Sequence, residues 1–257
     1  MNQALADLVR KHDPDRFLTV LLAPPDRRDA LLTLYAFNNE LARARSVASE
    51  PPLALIRLQW WREVVEGERK RHEVATPLSE AIEAGHLTAE DLLPLIDARD
   101  QEAYGEFTML DDWRNWLLAG AGGLAVAAGR AVGAGRVEAL RGYGAAYGVA
   151  ALLRATGALA SQGRCLLPQD LLAQHGLSPE AFVHDPSSVA ARAVLAHAVR
   201  EGTALLRAAT PLPRPAAAAA LPAVLARRDF ARWPRLRHPR GLGDRLAVIT
   251  AGLTHRP

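Results

Sequence analysis

Apolar residues recur at helical spacing along almost the whole of this sequence, and this periodicity is the feature that most constrains its fold. Leu31, Leu34 and Leu41, for example, fall on one face of a helix. Alternating apolar and polar runs, which are typical of strands, are scarce, and valine and isoleucine occur singly rather than in clusters. Alanine, leucine, arginine and glutamate, which favour helices, are abundant. The pattern predicts an all-α protein.

Prolines and capping residues divide the chain into successive helices. Because proline disfavours helix in the residue before it, Pro24 and Pro25 end one helix, and Pro51 and Pro52 begin another. Nothing marks an internal boundary, and 257 residues suffice for one sizeable core, so we expect a single domain covering residues 1–257. Asp26 is the predicted cap of a long helix that ends at about residue 47. The other predicted helices cover residues 2–11, 16–22, 53 to about 71, and 216–226, with further starts at 76–77, 88–91, 168–170, 178–180 and 185–187.

The composition excludes several classes of protein. Hydrophobic residues make up 49% of the chain and charged residues 23%, which is typical of a globular protein and excludes general disorder. The net charge of +3 is small and no recognition motif accompanies it, so nucleic acid is not an expected partner. The longest apolar stretch, Trp116 to Ala128, is shorter than the ~20 residues that cross a bilayer, so any membrane contact would be peripheral.

The cysteine content and the N-terminal segment predict a compartment. Cys165 is the single cysteine, which rules out an internal disulfide and fits a reducing environment. We interpret it as a packed thiol. Residues 1–17 lack the apolar run of a signal peptide. We expect a bacterial, cytoplasmic protein, with at most peripheral contact with the inner membrane.

Residues 117–160 are rich in glycine and alanine. Glycine lowers helix propensity by about 1 kcal/mol per residue, so its density in a helical region needs a compensating reason. One interpretation is close helix approach through small residues, as at Gly144 and Gly148. The other is a helix wall around a cavity that admits a long apolar ligand.

Residues 227–241 carry six arginines around Phe230 and Trp233. Such a segment is usually a solvated surface. The alternative is a docking patch for a membrane or for another protein.

Taken in order, the motifs of the chain resemble those of the squalene/phytoene synthase family of head-to-head prenyltransferases. The similarity extends over nearly the whole chain and implies an isoprenoid (terpenoid) synthase-like helical bundle around a central cavity. The residues that carry it are Arg16-Phe17, Leu22, Pro24, Arg27-Arg28, Leu31, Tyr35-Ala36-Phe37, Leu58, Trp60-Trp61-Arg62, Leu95-Ile96-Asp97-Ala98-Arg99, Gly144, Ala146, Leu153-Arg154, Gly163-Arg164 and Leu167-Pro168.

The chemistry of that family requires two aspartate clusters, because Mg²⁺ takes carboxylate oxygens and bridges them to a diphosphate leaving group. The resemblance places the first cluster at Ala42, Arg43 and Ser46, and the second at Ala155 and Leu159. None of these residues is a metal ligand. We therefore expect no catalytic residue, no metal and no cofactor of the family's kind.

The same positions narrow the resemblance to one branch. Residues 36–50, 153–156 and 167–176 look like the complex I assembly factor 6 branch, which keeps the synthase fold. This implies a non-catalytic protein that assists assembly of respiratory complex I (NADH:quinone oxidoreductase), with complex I subunits or assembly intermediates as partners. The alternatives are an active prenyltransferase with a rearranged site, and a protein that binds an isoprenoid or lipid.

Five residues are candidates for contact with an anionic ligand in the cavity, such as an isoprenoid diphosphate or an anionic lipid. Each carries a polar side chain near the positions of the two aspartate clusters. They are Tyr35, Asn38, Arg43, Arg45 and Arg154.

The surroundings of three sets of side chains depend on the tertiary structure. Arg43 and Arg45 would contact the ligand directly, or would instead pair with Glu40, Glu50 or Glu63. We expect Asp97 and Arg99 to form a buried ion pair rather than part of a metal site. Adjacent helical residues point about 100° apart, so one of Trp60 and Trp61 should pack in the core while the other lines a groove.

Overall fold

A computed structural model describes residues 1–46, 50–209 and 212–255, with the side chain of Ser46 also outside the described part. Within those ranges the regular structure is helical and no strand is present, as the sequence predicts. Short 3₁₀ turns at Pro25–Arg27, Val137–Ala139 and Arg214–Ala216 connect the helices. The helices are α1 (Gln3–His12), α2 (Pro14–Leu21), α3 (Arg28–Ser46), α4 (Pro51–Val65), α5 (Ala75–Glu83), α6 (Ala89–Tyr104), α7 (Leu110–Leu117), α8 (Gly123–Ala131), α9 (Leu140–Ser161), α10 (Gln169–Gln174), α11 (Pro179–His184), α12 (Val189–Ala208), α13 (Ala217–Ala220), α14 (Pro222–Arg232) and α15 (Leu242–Thr254).

The central helix of the first half of the fold is α3. Leu31, Leu34 and Leu41, the residues whose spacing predicts its inner face, are all buried. The helix begins at Arg28 rather than directly after Asp26, its predicted cap, because residues 25–27 form a 3₁₀ turn first. Its predicted end near Val47 lies outside the described residues.

The following helix, α4, is shorter than predicted. It begins at Pro51. Proline is tolerated in the first turn of a helix because the N–H groups of that turn have no partner within the helix. It ends at Val65 rather than near Arg71, because Gly67 has a φ of 113°, which ends the helix in a turn. Trp61 on this helix is buried, while Trp60 is half-buried with its ring beside the Lys70 ammonium group. The tertiary structure thus shows that Trp61 is the core residue of the pair.

Glycines allow α9 to pack closely against a π-helical turn at Leu118–Gly122, which joins α7 to α8. A methyl group built at Gly144 would lie 2.4 Å from the carbonyl oxygen of Ala121, and one at Gly148 would lie 2.7 Å from the Ala121 Cβ. Larger residues at these positions would force the backbones apart. The interpretation as close helix approach is therefore correct for both glycines.

Near the C-terminus, the helix predicted over residues 216–226 is divided. Pro222 begins a new helix, α14, immediately after the four residues of α13, since proline fits the first turn of a helix better than its interior. None of the helices in the described part of the chain is long and apolar enough to span a membrane.

Candidate functional site

A cavity of about 910 Å³ opens between α2, α6, α9 and the π-helical turn. Its apolar wall includes Leu95, Trp116 and Leu124, whereas arginine and carboxylate side chains line other parts of it. The half of α9 that follows Tyr147 lies along one side and exposes small residues to the cavity. The cavity therefore combines an apolar interior with charged groups, which suits an amphiphilic ligand.

Arg16 on α2 forms the first charged group of the cavity wall. Its guanidinium donates to the Asp13 carboxylate at 2.7 Å and lies over the ring of Tyr147, 4.8 Å from the centroid. It also lies 5.7 Å from the ring centroid of Tyr35. Burial raises the pKa of the Tyr35 hydroxyl to about 12, so this tyrosine stays neutral.

A second group forms a chain of alternating charges along the wall. Asp15 accepts from the Tyr147 hydroxyl at 3.0 Å and from Arg240 at 2.6 Å. Arg240 also donates to both oxygens of the buried Asp229, at 2.9 and 3.1 Å. Asp229 in turn accepts from Arg154 at 2.9 Å. These contacts join α2, α9 and α14 to the segment before α15, and the two arginines are balanced by the two aspartates.

The third group lies around Glu102 on α6, whose side chain is buried. Arg99 and Arg164 both donate to its carboxylate, Arg164 at 2.9 Å. Burial alone would raise the pKa of Glu102, but the two guanidinium groups lower it, so the glutamate is charged. The group carries one net positive charge. Arg99 also approaches the Asn38 side-chain oxygen at 3.4 Å, which places α3 at its edge.

Four of the residues predicted from the sequence line the cavity. Asn38 contributes from α3, while Arg154, Ala155 and Leu159 contribute from α9. Tyr35 lies beside the cavity under Arg16 and lines a small adjoining pocket. The structure thus brings the second predicted motif and the middle of α3 to one wall.

The remaining predicted residues do not lie along the described wall of the cavity. Ala42 is half-buried on α3. Arg43 is half exposed and donates to Glu40 at 2.7 Å, the pairing that the sequence left open. Arg45 is half-buried, and the Ser46 side chain lies outside the described residues.

The ion pair predicted between Asp97 and Arg99 is wrong. Asp97 instead accepts from Arg62 at 2.8 Å and is largely exposed, while Arg99 turns inward to Glu102. Asp97 and Arg99 are two positions apart on α6, so they point to different sides of the helix. Spacing alone would have favoured the pairing of Arg99 with Glu102, three residues on.

The carboxylates in the described wall of the cavity are Asp13, Asp15 and Glu102, and each is paired with arginine. Among the described residues, no group of three or more histidine, cysteine, aspartate or glutamate side chains could hold a metal ion. Magnesium bound between two carboxylate clusters would need unpaired oxygens on facing helices. The donor set described here does not fit such a site.

Comparison with known proteins places the chain in a family. A model of the squalene/phytoene synthase family matches residues 9–237. The chain belongs to this family.

Curated relatives are 30–32% identical to it over the aligned residues. A Rattus norvegicus protein named "NADH dehydrogenase (ubiquinone) complex I, assembly factor 6" is 32% identical over 185 residues, which are 69% of this chain and 56% of that protein. The Mus musculus protein of the same name is 30% identical over 227 residues, 85% of this chain and 68% of that protein.

This squalene/phytoene synthase family member spans only 56% of the rat relative's length. Two solved structures share its fold. A dehydrosqualene synthase in complex with ligand superimposes with a TM-score of 0.75, covering 98% of this chain and 95% of that one at 12% identity. Squalene synthase HpnC from Alicyclobacillus acidocaldarius gives a TM-score of 0.67 at 18% identity, covering 98% and 93% of the two chains. The all-α isoprenoid synthase-like fold predicted from the sequence is confirmed.

Proposed function

We propose that this protein is a non-catalytic member of the squalene/phytoene synthase family that assists assembly of respiratory complex I, at the cytoplasmic face of the membrane. The observation that carries the proposal is the similarity to relatives named complex I assembly factor 6, at 30–32% identity over 69–85% of this chain. Its partners would be complex I subunits or assembly intermediates.

The residues at the aspartate-motif positions support the absence of prenyl transfer. Ala155 and Leu159 expose only hydrocarbon to the cavity where the family's second cluster would present carboxylates. Arg43 and Ala42 occupy first-cluster positions, and neither offers an oxygen to a cation. The three cavity carboxylates each accept from arginine. A diphosphate held through magnesium would need those oxygens.

Deletion of the gene in its own organism tests the assembly role. We expect the membrane NADH:quinone oxidoreductase activity to fall and the complex I band on native gels to weaken or to shift to subassemblies, with restoration by the wild-type gene. The matched control is the activity of another respiratory complex in the same membranes. Unchanged complex I content in the deletion strain would contradict the proposal.

An active prenyltransferase with a rearranged site is the alternative. Purified protein incubated with farnesyl or geranylgeranyl diphosphate and Mg²⁺ should release no squalene or phytoene. A dehydrosqualene synthase from the same family serves as the positive control. Formation of a head-to-head product above the boiled-protein background would overturn the non-catalytic assignment.

The cavity itself supports a second function, retention of an isoprenoid or an anionic lipid. An apolar space of about 910 Å³ accepts a hydrocarbon chain, and the Arg99, Arg164 and Glu102 group offers one net positive charge to an anionic head. Because Arg43 pairs with Glu40 on the surface, the cavity arginines are better placed for this contact than Arg43.

Native mass spectrometry of gently purified protein tests this retention, and the mass of the ligand distinguishes an isoprenoid from a phospholipid. Ala155 lines the cavity, so Ala155→Phe should narrow it and weaken the ligand peak. Ala158→Phe, at an exposed position of the same helix, is the control and should keep the ligand. A ligand-free wild type, or equal occupancy in both variants, would refute retention in the cavity.

A further inference from the structure

The outward face of α15 is apolar. Leu242 and Leu253 are each 72% exposed and Leu246 is 52% exposed, although all three are large hydrophobic residues. At 100° per residue, their side chains leave the helix within about 40° of one another, with the half-buried Ile249 between Leu246 and Leu253. We call Leu242, Leu246 and Leu253 the α15 stripe. Isolated exposed leucines are ordinary, but three aligned on one helix form a continuous patch.

The opposite face of α15 anchors the helix to the protein. Asp244 and Val248 are buried, and Asp244 accepts from Arg228 at 2.7 Å and from Arg232 at 2.6 Å. A methyl group at Gly252 would lie 2.8 Å from a Leu22 side-chain carbon, so the end of α15 packs against the end of α2. The α15 stripe is therefore displayed by a fixed helix and not by a frayed one.

The segment of the chain that contains the stripe is basic. Residues 231–255 contain five arginines and a single acidic residue, Asp244, which is buried. Two of the arginines are neutralised, Arg232 by Asp244 and Arg240 by Asp15 and Asp229. The other three are exposed and form no ion pair within the described part of the chain; they are Arg235, Arg237 and Arg245.

The stripe also adjoins the opening of the cavity. Arg245, which follows the buried Asp244 on α15, lines the cavity together with Leu21, Arg10 and His12. All four are exposed, so they mark the side on which the cavity meets solvent. A surface that covers the α15 stripe would lie at the mouth of the cavity.

We propose that the α15 stripe and its three unpaired arginines form a docking surface for an anionic lipid bilayer. The leucines would enter the interface between head groups and acyl chains, and the arginines would contact phosphate groups at the same depth. A protein partner is the weaker candidate, because the unpaired charges of residues 231–255 are all positive and an anionic lipid surface complements them. This docking surface would account for the membrane location named in the proposed function, on which it rests to that extent, and vesicle binding can be tested separately from the assembly role.

Sedimentation with lipid vesicles tests the docking surface. The full chain should sediment with vesicles of phosphatidylcholine and phosphatidylglycerol and remain in solution with phosphatidylcholine alone. Replacing Arg235, Arg237 and Arg245 by glutamine should weaken binding by about fivefold per arginine at low salt, and Leu246→Ser with Leu253→Ser should weaken it about tenfold or more. Because these side chains are exposed, the variants should keep the wild-type melting temperature, which is measured alongside.

Matched controls come from exposed positions on α12. Val189 is 78% exposed, and Arg192 and Arg200 are exposed arginines. Val189→Ser, and Arg192→Gln with Arg200→Gln, should leave vesicle binding unchanged. Absence of wild-type binding to the anionic vesicles, or equal loss in the control variants, would overturn the proposal. So would a leucine variant that binds vesicles normally but loses association with a complex I subunit, since the stripe would then be a protein interface.

Discussion

Alanine substitutions at two glycines of α9 should change stability in opposite directions. A methyl group at Gly144 would lie 2.4 Å from the Ala121 carbonyl oxygen and 2.6 Å from the Ala125 Cβ. Neither atom can rotate away, because one belongs to the backbone and the other is fixed to it. At Gly157, on the same helix, no atom lies within 4 Å of the added methyl group.

The distances set the expected magnitudes. Overpacking costs about 1–3 kcal/mol, and two contacts below 2.7 Å place Gly144→Ala at the upper end, about 3 kcal/mol. Alanine recovers about 1 kcal/mol of helix propensity, so the net loss is about 2 kcal/mol. Gly157→Ala gains helix propensity without a clash, roughly 0.5–1 kcal/mol. At roughly 2–4 °C per kcal/mol for a chain of this size, the melting temperature should fall by about 4–8 °C for Gly144→Ala and rise by about 1–4 °C for Gly157→Ala.

Thermal unfolding followed by far-UV circular dichroism measures both variants, with urea unfolding to confirm the sign at room temperature. Each variant adds one methyl group to the same helix, so they control for one another. If Gly144→Ala raised the melting temperature as much as Gly157→Ala, α9 would not contact the π-helical turn as closely as the structure shows, and the reasoning would fail.

Three further predictions concern charge and burial. Arg240→Met should destabilise the protein by about 2–3 kcal/mol in urea unfolding, because it removes the arginine shared by Asp15 and Asp229 and leaves them the Tyr147 hydroxyl and Arg154, respectively. Arg69→Met, which breaks an exposed pair, should cost less than about 1 kcal/mol. Burial alone would raise the pKa of Asp244, but hydrogen bonds from arginines lower it to about 2. The contribution of the charged Asp244 to the free energy of unfolding should therefore be complete above about pH 4 and lost towards pH 2. Asp244→Asn should flatten the dependence of stability on pH in that range. Burial raises the pKa of Cys165 to about 11, so iodoacetamide at about pH 8 should alkylate it far more slowly than free cysteine in a timed mass-spectrometric assay.

Local sequence signals predicted many of the helices and several of their ends. Proline at the start of α4 and Thr88 at the N-terminus of α6 act as expected, the latter by accepting from the Asp91 N–H group. Prediction failed where a glycine or proline within a helical pattern ended an element, as at Gly67 and Pro222. Residues 242–254, which form α15, were not predicted to be helical.

The candidate site was only partly predictable. Asn38, Arg154, Ala155 and Leu159 reach the cavity because their motifs fix their helical faces. The groups around Arg240 and Glu102 were not predicted, because their partners lie far away in sequence: Asp15 is 225 residues from Arg240, and Arg164 is 62 residues from Glu102. The sequence signal for Glu102 is its spacing of three residues from Arg99, which places both side chains on the same face of α6.

The sequence by itself determined the all-α class, the family resemblance and the glycines at which α9 can approach a neighbour, because periodicity, motif order and the absence of a side chain are local properties. The tertiary structure alone decided that Trp61 is buried rather than Trp60, that Arg43 pairs with Glu40 at the surface, and that the leucines of α15 face solvent. Burial and ion pairing depend on which distant elements pack around a residue. Apolar periodicity marks one face of a helix but does not state what, if anything, covers it.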